Sequence, residues 1–283
     1  MSAPRSRALR RFVRNPTAMG GSIFLLTITL LALFAPLICP GDPLAMEADA
    51  LLWPGQDWHY PLGTDALGRD LLAGVVHGAR VSLQVGLLAS LFGVTLGLAI
   101  GAVAGYFGGR IDYGLQRLIE IFQTMPSFVL LVALVAIAQP SVPTLIFAIG
   151  IISWPTVARL VRAEVRSIRA REYVLAARSV GYSHARIIAL EVLPNLLPTL
   201  IVTTSIMVAS AVLMESALSF MGLGDPNQVS WGSMIGSGRE QIRTAWYLTA
   251  IPGLAIFLTV LAFNLIGDGL TDAFNPTQAQ GRK

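Results

Sequence analysis

Groups able to do chemistry are scarce in this sequence, and their positions limit what that chemistry is. A buried acid or proton relay needs an ionisable side chain at membrane depth, and Glu215, inside a long apolar run, is so placed. Nucleophilic or metal-assisted catalysis needs a base, a nucleophile or ligands that converge. No His-Glu-x-x-His or Gly-x-Ser-x-Gly occurs, and no histidine falls within a long apolar run. His59 and His77 lie far apart, and the single cysteine, Cys39, excludes an intrachain disulfide or a cysteine cluster. Phosphate binding by a standard P-loop needs a lysine. The one lysine is Lys283, so ATP hydrolysis by a P-loop is not expected of this chain. What remains is contact chemistry. It concentrates in a polar interruption, 159–194, between apolar runs.

Within that interruption, Glu172 to Val180 reads as a short helix and Gly181 as its stop, because glycine takes the left-handed conformation cheaply. Ser183 is placed to cap a second helix carrying Ile187, Ile188, Leu190 and Leu193, and Pro194 marks the return to apolar sequence. Ala176 and Ala177 keep the first helix thin. A thin helix with a sharp turn fits a groove on a second protein. An amphipathic basic helix also lies well on lipid headgroups, and the residues alone leave both open.

The elements that position these residues read as membrane spans. Hydrophobic residues make up 54% of the chain and charged residues 13%, against about 25% charged in soluble domains. Six apolar runs reach the roughly 20 residues a spanning helix needs: 19–39, 81–107, 113–138, 142–160, 196–223 and 246–267. They lack the alternation of barrel strands, so helices must satisfy the backbone in lipid. With six spans, one side holds 16 of the 20 basic residues, including Arg159, Arg162, Arg166, Arg169, Arg171, Arg178 and Arg186 in the large loop. Arginine asymmetry therefore places the termini and that loop in the cytoplasm. The same asymmetry accounts for the basic pI of about 9.6 without nucleic acid. Arg10-Arg11-Phe12 faintly resembles a twin-arginine signal, but the following run is longer than a secretory h-region and is expected to stay as an uncleaved span.

Further features bear on packing, gating and local structure. Ala89, Gly93, Gly97, Gly101 and Gly105 recur every fourth residue in the second run, a stripe that lets helix backbones approach closely. Met125-Pro126 divides the third run and Trp154-Pro155 sits in the fourth, both candidate hinges. Glu215 either lines a substrate or proton path or is held by neighbouring polar groups, and the second is favoured. Arg117 and Glu120 are spaced to pair on one helix face. In the segment 40–80, Thr64 or Asp65 is expected to cap a short helix running into Leu71.

Glu172-xxx-Ala176-Ala177-xxx-Gly181 followed by Leu193-Pro194 resembles the cytoplasmic EAA loop of ABC importer permeases. Pro61-Leu62-Gly63-Thr64-Asp65-Ala66-Leu67-Gly68-Arg69-Asp70 is similar to the periplasmic motif of the dipeptide/oligopeptide permease family, C-type subunit. Ser219-Phe220-Met221-Gly222-Leu223-Gly224, Ser230-Trp231-Gly232 and the stretch from Phe263-Asn264 through Gly267-Asp268-Gly269 to Asn275-Pro276 agree as well, in the expected order. Met221 and Phe274 stand where such proteins often carry leucine.

The resemblance implies an all-α integral membrane fold of six transmembrane helices. It is a type I ABC importer permease (MetI-like) core preceded by an extra N-terminal span. The expected organisation is a cytoplasmic tail 1–18, a first span 19–39, a periplasmic segment 40–80, a permease core 81–268 with a coupling loop 159–195, and a cytoplasmic tail 269–283. The implied partners are a second homologous permease, two ABC ATPase subunits carrying ATP and Mg, a periplasmic solute-binding protein and the bilayer of a bacterial inner membrane. No cofactor or metal is expected in the chain itself. Glu172, Ala176, Ala177, Gly181, Leu193 and Pro194 would couple to an ATPase. Gly63, Thr64, Asp65, Gly68, Arg69 and Asp70 form the periplasmic motif, and Glu215, Met125 and Pro126 are pathway or gate candidates. Di- or oligopeptides are the default substrate; nickel, glutathione or another small solute is the alternative. A proton-coupled secondary transporter, the more remote alternative, predicts inverted repeats, and none is evident.

Overall fold

Apolar runs that must pair every backbone group internally become long helices, and the computed structural model, which describes residues 4–274, is helical throughout its spans. The order is α1 (Pro4–Arg14), α2 (Pro16–Leu33), α3 (Ala35–Ile38), α4 (Leu71–Phe107), α5 (Gly109–Thr124), α6 (Ser127–Ala138), α7 (Val142–Arg169), α8 (Glu172–Ser179) and α9 (His184–Ile187). A π-helical segment Ile188–Val192 leads into α10 (Leu193–Phe220), then α11 (Trp231–Gly238) and α12 (Tyr247–Phe274). Asn275-Pro276 of the C-terminal motif and the Arg282-Lys283 pair lie outside the described residues. Five helices or helix runs have the length and hydropathy to cross a membrane, and α5 with α6 makes a sixth if the bent pair counts as one span.

The α4–α7 pair forms the centre of the molecule, the two helices running parallel. Glycines in α4 carry no Cβ, so α7 backbone carbonyls sit directly against them. A Cβ at Gly97 would stand 2.7 Å from the carbonyl of Trp154, at Gly101 2.5 Å from that of Ala158, and at Gly105 2.6 Å from that of Arg162. At that range the α4 Cα–H groups face α7 carbonyls, and dispersion contacts hold the pair where lipid gives no hydrophobic drive. Gly93 lies against Gly150, and Ala89 is fully buried in the same seam. Val157, Val161, Val165 and Ile168 continue that core toward the end of the bundle where α1 meets the last turns of α12, called the terminal end below.

Several expected boundaries move. The third run is not one kinked helix: α5 and α6 meet at 82° across Met125-Pro126. Proline disfavours helical geometry in the residue before it, and Met125 is extended at φ −89°, ψ 140°. Alone, the 12 residues of α6 span about 18 Å. By contrast Pro155 lies inside an unbroken α7. Helix α4 starts at Leu71, ten residues before the expected 81, and its 37 residues reach about 55 Å. Its cap is Asp70, whose carboxylate accepts from the Leu72 N–H at 2.9 Å, rather than Thr64 or Asp65. Helix α7 runs on to Arg169, so the first part of the polar interruption is its continuation, and α12 continues through Phe274, so the last helix extends past the expected 268.

Candidate functional site

The polar interruption folds into a helix–turn–helix at the terminal end. Helix α8 ends in a Schellman turn: the Tyr182 N–H donates to the Ala177 carbonyl at 3.1 Å and the Gly181 N–H to the Arg178 carbonyl at 2.9 Å. Gly181 has φ +84°, and a Cβ there would meet nothing within 4 Å. The glycine is therefore demanded by backbone conformation, not by space. Ser183 Oγ then accepts from the Arg186 N–H at 3.3 Å and caps α9. The π-helical turn that follows absorbs Pro194. Proline cannot donate back to the preceding turn, and next to it Asn195 Nδ2 donates to the Glu191 carbonyl at 2.6 Å. Leu193 and Pro194 thus open α10 as its first residues.

Two sets of side chains divide the loop. Val174, Ile187 and Val192 are buried against Val165, Ile168 and Leu196, and Ala177 packs against the same cluster. Glu172, Ala176 and Gly181 face outward, together with Leu175 (49% exposed) and Val180 (75% exposed). An anchored inner face with an outer face that mixes small, apolar and charged residues is the form of a docking element.

The loop is also fastened to the end of α4 by residues that sequence reasoning did not single out. Tyr106, 1% exposed, pairs its hydroxyl with His184 Nδ1 at 3.0 Å. The Arg178 guanidinium lies 5.0 Å from its ring centroid. Its carbonyl accepts from Arg169 Nη1 at 2.6 Å. One tyrosine therefore touches α7, α8 and α9 at once. The only signal in the sequence was an aromatic pair, Tyr106-Phe107, just before Gly108-Gly109. Nearby, Arg162 of α7 grips Asp112 of α5 through two hydrogen bonds, the Nη2–Oδ2 one at 2.8 Å. Arg117 and Glu120 pair at 2.8 Å on exposed α5.

Glu215 is fully buried. Ser219 Oγ donates to it at 2.7 Å, Ser82 Oγ at 3.0 Å and Ser216 Oγ at 3.4 Å. Three hydroxyl dipoles satisfy the carboxyl group and tie α10 to α4, the alternative in which polar neighbours hold it. Met125 and Pro126 are exposed at the α5–α6 break, well separated in sequence and element from Glu215.

At the other, distal end the segment 40–70 is tightly folded. Thr64 Oγ1 donates to the Asp49 carbonyl at 2.6 Å and accepts from the Leu52 N–H at 3.0 Å. The Asp65 carboxylate accepts from the Leu67 and Arg69 N–H groups at 2.8 and 2.9 Å. Gly63 and Gly68 take positive φ with the Leu52 and Ala48 carbonyls against them. Asp65, Arg69 and Asp70 line a cleft of about 330 Å3 shared with Asp225 and Ser233. The Arg69 Nε is buried there without a hydrogen-bond partner, and burial pushes the Asp70 carboxyl above the usual range. His59 meets Asp57 and His77 meets the Cys39 carbonyl, both at 3.0 Å. Among the described residues, no group of three or more His, Cys, Asp or Glu is arranged to hold a metal ion.

This geometry agrees with the comparisons. Residues 97–280 match the family of binding-protein-dependent transport system inner membrane components. Residues 4–54 match the N-terminal transmembrane domain of oligopeptide transport permease C. The chain is 41% identical to the di/tripeptide transport system permease protein DppC of Pseudomonas aeruginosa, over 97% of this chain and 92% of that protein. It is 38% identical to the dipeptide transport system permease protein DppC of Bacillus subtilis, over 95% of this chain and 84% of that one. The fold is similar to an inward-facing structure of the MetNI methionine ABC transporter, with TM-score 0.60 and 18% identity over 71% of this chain and 97% of that chain. An amino acid ABC transporter structure matches with TM-score 0.52 and 22% identity, over 70% and 92%. The MetI-like core and its additional N-terminal span are both present, and the chain belongs to the binding-protein-dependent transport permeases, as a membrane subunit of an ABC importer in the C-type branch of the dipeptide/oligopeptide group.

Proposed function

We propose that this permease forms half of a pathway for di- or oligopeptides and that the α8–α9 unit couples it to ATP hydrolysis on a separate subunit. The observation that carries this reading is the division of the loop. Val174 and Ile187 are buried in the bundle and Tyr106 clamps the loop, while Glu172, Ala176 and Val180 face outward. An element so fixed on one side transmits a push received on the other. A second homologous permease would complete the pathway. Two ATPase subunits carrying ATP and Mg would bind at the terminal end, in the cytoplasm of a bacterial cell. A periplasmic binding protein would dock at the distal end, where Trp58 stands 98% exposed in the Asp57–Tyr60 turn. Closure of the ATPases would move α4, α7 and α10 as a packed body and switch the pathway between its two faces. The names of the relatives, which transport dipeptides or di- and tripeptides, support the substrate class.

A cysteine placed by Ala185→Cys in a Cys39→Ser background tests orientation and docking together. Residue 185 is exposed beside α8. An impermeant maleimide is expected to label it in inside-out vesicles, and bound ATPase subunits are expected to protect it. Labelling in intact cells would overturn the orientation; labelling undiminished by the ATPases would overturn the docking.

A further inference from the structure

At the terminal end, the last turns of α12 and the junction of α1 with α2 border an open cleft of about 800 Å3 lined by Arg11, Arg14, Thr17, Asp268, Thr271 and Asp272. Asp268 and Asp272 are one helical turn apart on α12, and Arg11 and Arg14 lie five and two residues before the start of α2 at Pro16. Among the described residues neither arginine forms an ion pair with either aspartate. Two positive and two negative groups thus line one cleft with no direct ion pair between them.

The surroundings are those of a bilayer surface. Helix α1 docks on α12 through Phe12, which lies against Gly269. Next to it Leu9 is 65% and Val13 53% exposed, while Arg10, Arg11 and Arg14 are exposed on the other side of the helix. An amphipathic basic helix that leads directly into a span lies in the headgroup layer, with its apolar side toward acyl chains. Basic pockets between spans near that layer receive lipid phosphates.

We propose that this cleft binds one phospholipid with a zwitterionic headgroup bearing a primary ammonium, the phosphatidylethanolamine type. Arg11 and Arg14 would hold the phosphate by charge-assisted hydrogen bonds. Asp268 and Asp272 would accept hydrogen bonds from the ammonium, and Leu9 and Val13 would lie along the acyl chains. The carboxylates select against an anionic glycerol headgroup, which brings no cation. A quaternary ammonium has no N–H to donate and is held less well. This site does not depend on ATPase coupling or on which solute is carried.

The test is native mass spectrometry of the purified, assembled importer delipidated and then offered equal amounts of phosphatidylethanolamine, phosphatidylcholine and phosphatidylglycerol. The wild-type complex is expected to retain phosphatidylethanolamine roughly threefold to tenfold over each of the others, the scale of one or two solvated charge contacts. Asp268→Asn with Asp272→Asn is expected to abolish that preference while phospholipid still binds. Arg11→Gln with Arg14→Gln is expected to reduce retention of all three. These side chains are at the surface, so a monodisperse assembled complex checks that each variant folds. Equal retention by the wild type, a preference for phosphatidylglycerol, or an unchanged preference in the aspartate variant would overturn the proposal. A wild-type importer that shows the lipid preference but no ATP-coupled dipeptide uptake would instead count against the function proposed above.

Discussion

Tyr106 and His184, 78 positions apart, share a hydrogen bond of 3.0 Å where α4 ends and α9 begins. The pair joins one of the two central helices of the bundle to the loop that carries the outward-facing Glu172 and Ala176. The loop is consequently part of the α4–α7 body rather than a tether between spans, which is the property a force-transmitting element needs.

Tyr106→Phe removes the hydroxyl and leaves the ring under Arg178. The expected cost is about 1 kcal/mol for one lost hydrogen bond, with the protein still folded. If the clamp transmits movement, the amount of solute imported per ATP falls while basal ATP hydrolysis is maintained. Uptake and hydrolysis measured on the same proteoliposomes check this; an unchanged ratio counts against the clamp.

The glycine seam gives a stability prediction. At Gly97 a Cβ would stand 2.6 Å from that of Val157 and 2.7 Å from a backbone carbonyl, so Gly97→Val must separate α4 from α7. A loss of about 1–3 kcal/mol or more is expected from overpacking, seen as a lower Tm in detergent. Gly114→Ala on exposed α5, where a Cβ meets nothing within 4 Å, is expected to leave Tm unchanged or raise it.

Glu215 separates a structural acid from a proton relay. Glu215→Gln keeps one acceptor oxygen and replaces the other with an amide N–H that a rotated serine hydroxyl can accept, so uptake and its pH profile are expected to stay close to wild type. Glu215→Ala strands both hydroxyls in the interior and is expected to cost about 1–3 kcal/mol. Uptake abolished by the glutamine variant, in a protein of normal Tm, would assign the carboxylate to a path.

Asp112 and Arg162 hold α5 against α7 with side chains only 14% and 20% exposed. Asp112→Asn leaves the guanidinium uncompensated, and a loss of up to about 3 kcal/mol is expected. The double variant Asp112→Leu, Arg162→Met is expected to recover much of it. Denaturation midpoints of the wild type, Asp112→Asn and the double variant check the sign; a double variant no better than the single one contradicts it.

The extent to which this structure could be read from sequence follows the range of the interactions. Gly181 and Ser183 act on their immediate neighbours, so the α8 stop and α9 cap were legible from residue type. The four-residue spacing of Gly93, Gly97, Gly101 and Gly105 announced a close helix contact, but nothing local named α7 as the partner. Pro126 marked a break, while its 82° size depends on what α6 packs against. Asp70 outcompeted Thr64 and Asp65 as the α4 cap because those two are occupied inside the preceding turn. The Tyr106–His184 and Asp112–Arg162 pairs depend on the tertiary arrangement, and no spacing rule reaches across it.

Gly181→Val puts the central claim to its most direct test. The valine must adopt φ near +84°, a conformation strongly disfavoured for a β-branched residue, so the turn between α8 and α9 distorts while the spans stay packed. In proteoliposomes holding the assembled importer, dipeptide uptake per ATP hydrolysed is expected to fall severalfold, or the ATPase subunits to bind poorly, with the Tm of the permease little changed. Wild-type uptake per ATP in a complex carrying this substitution would contradict the assignment of α8–α9 as the coupling element.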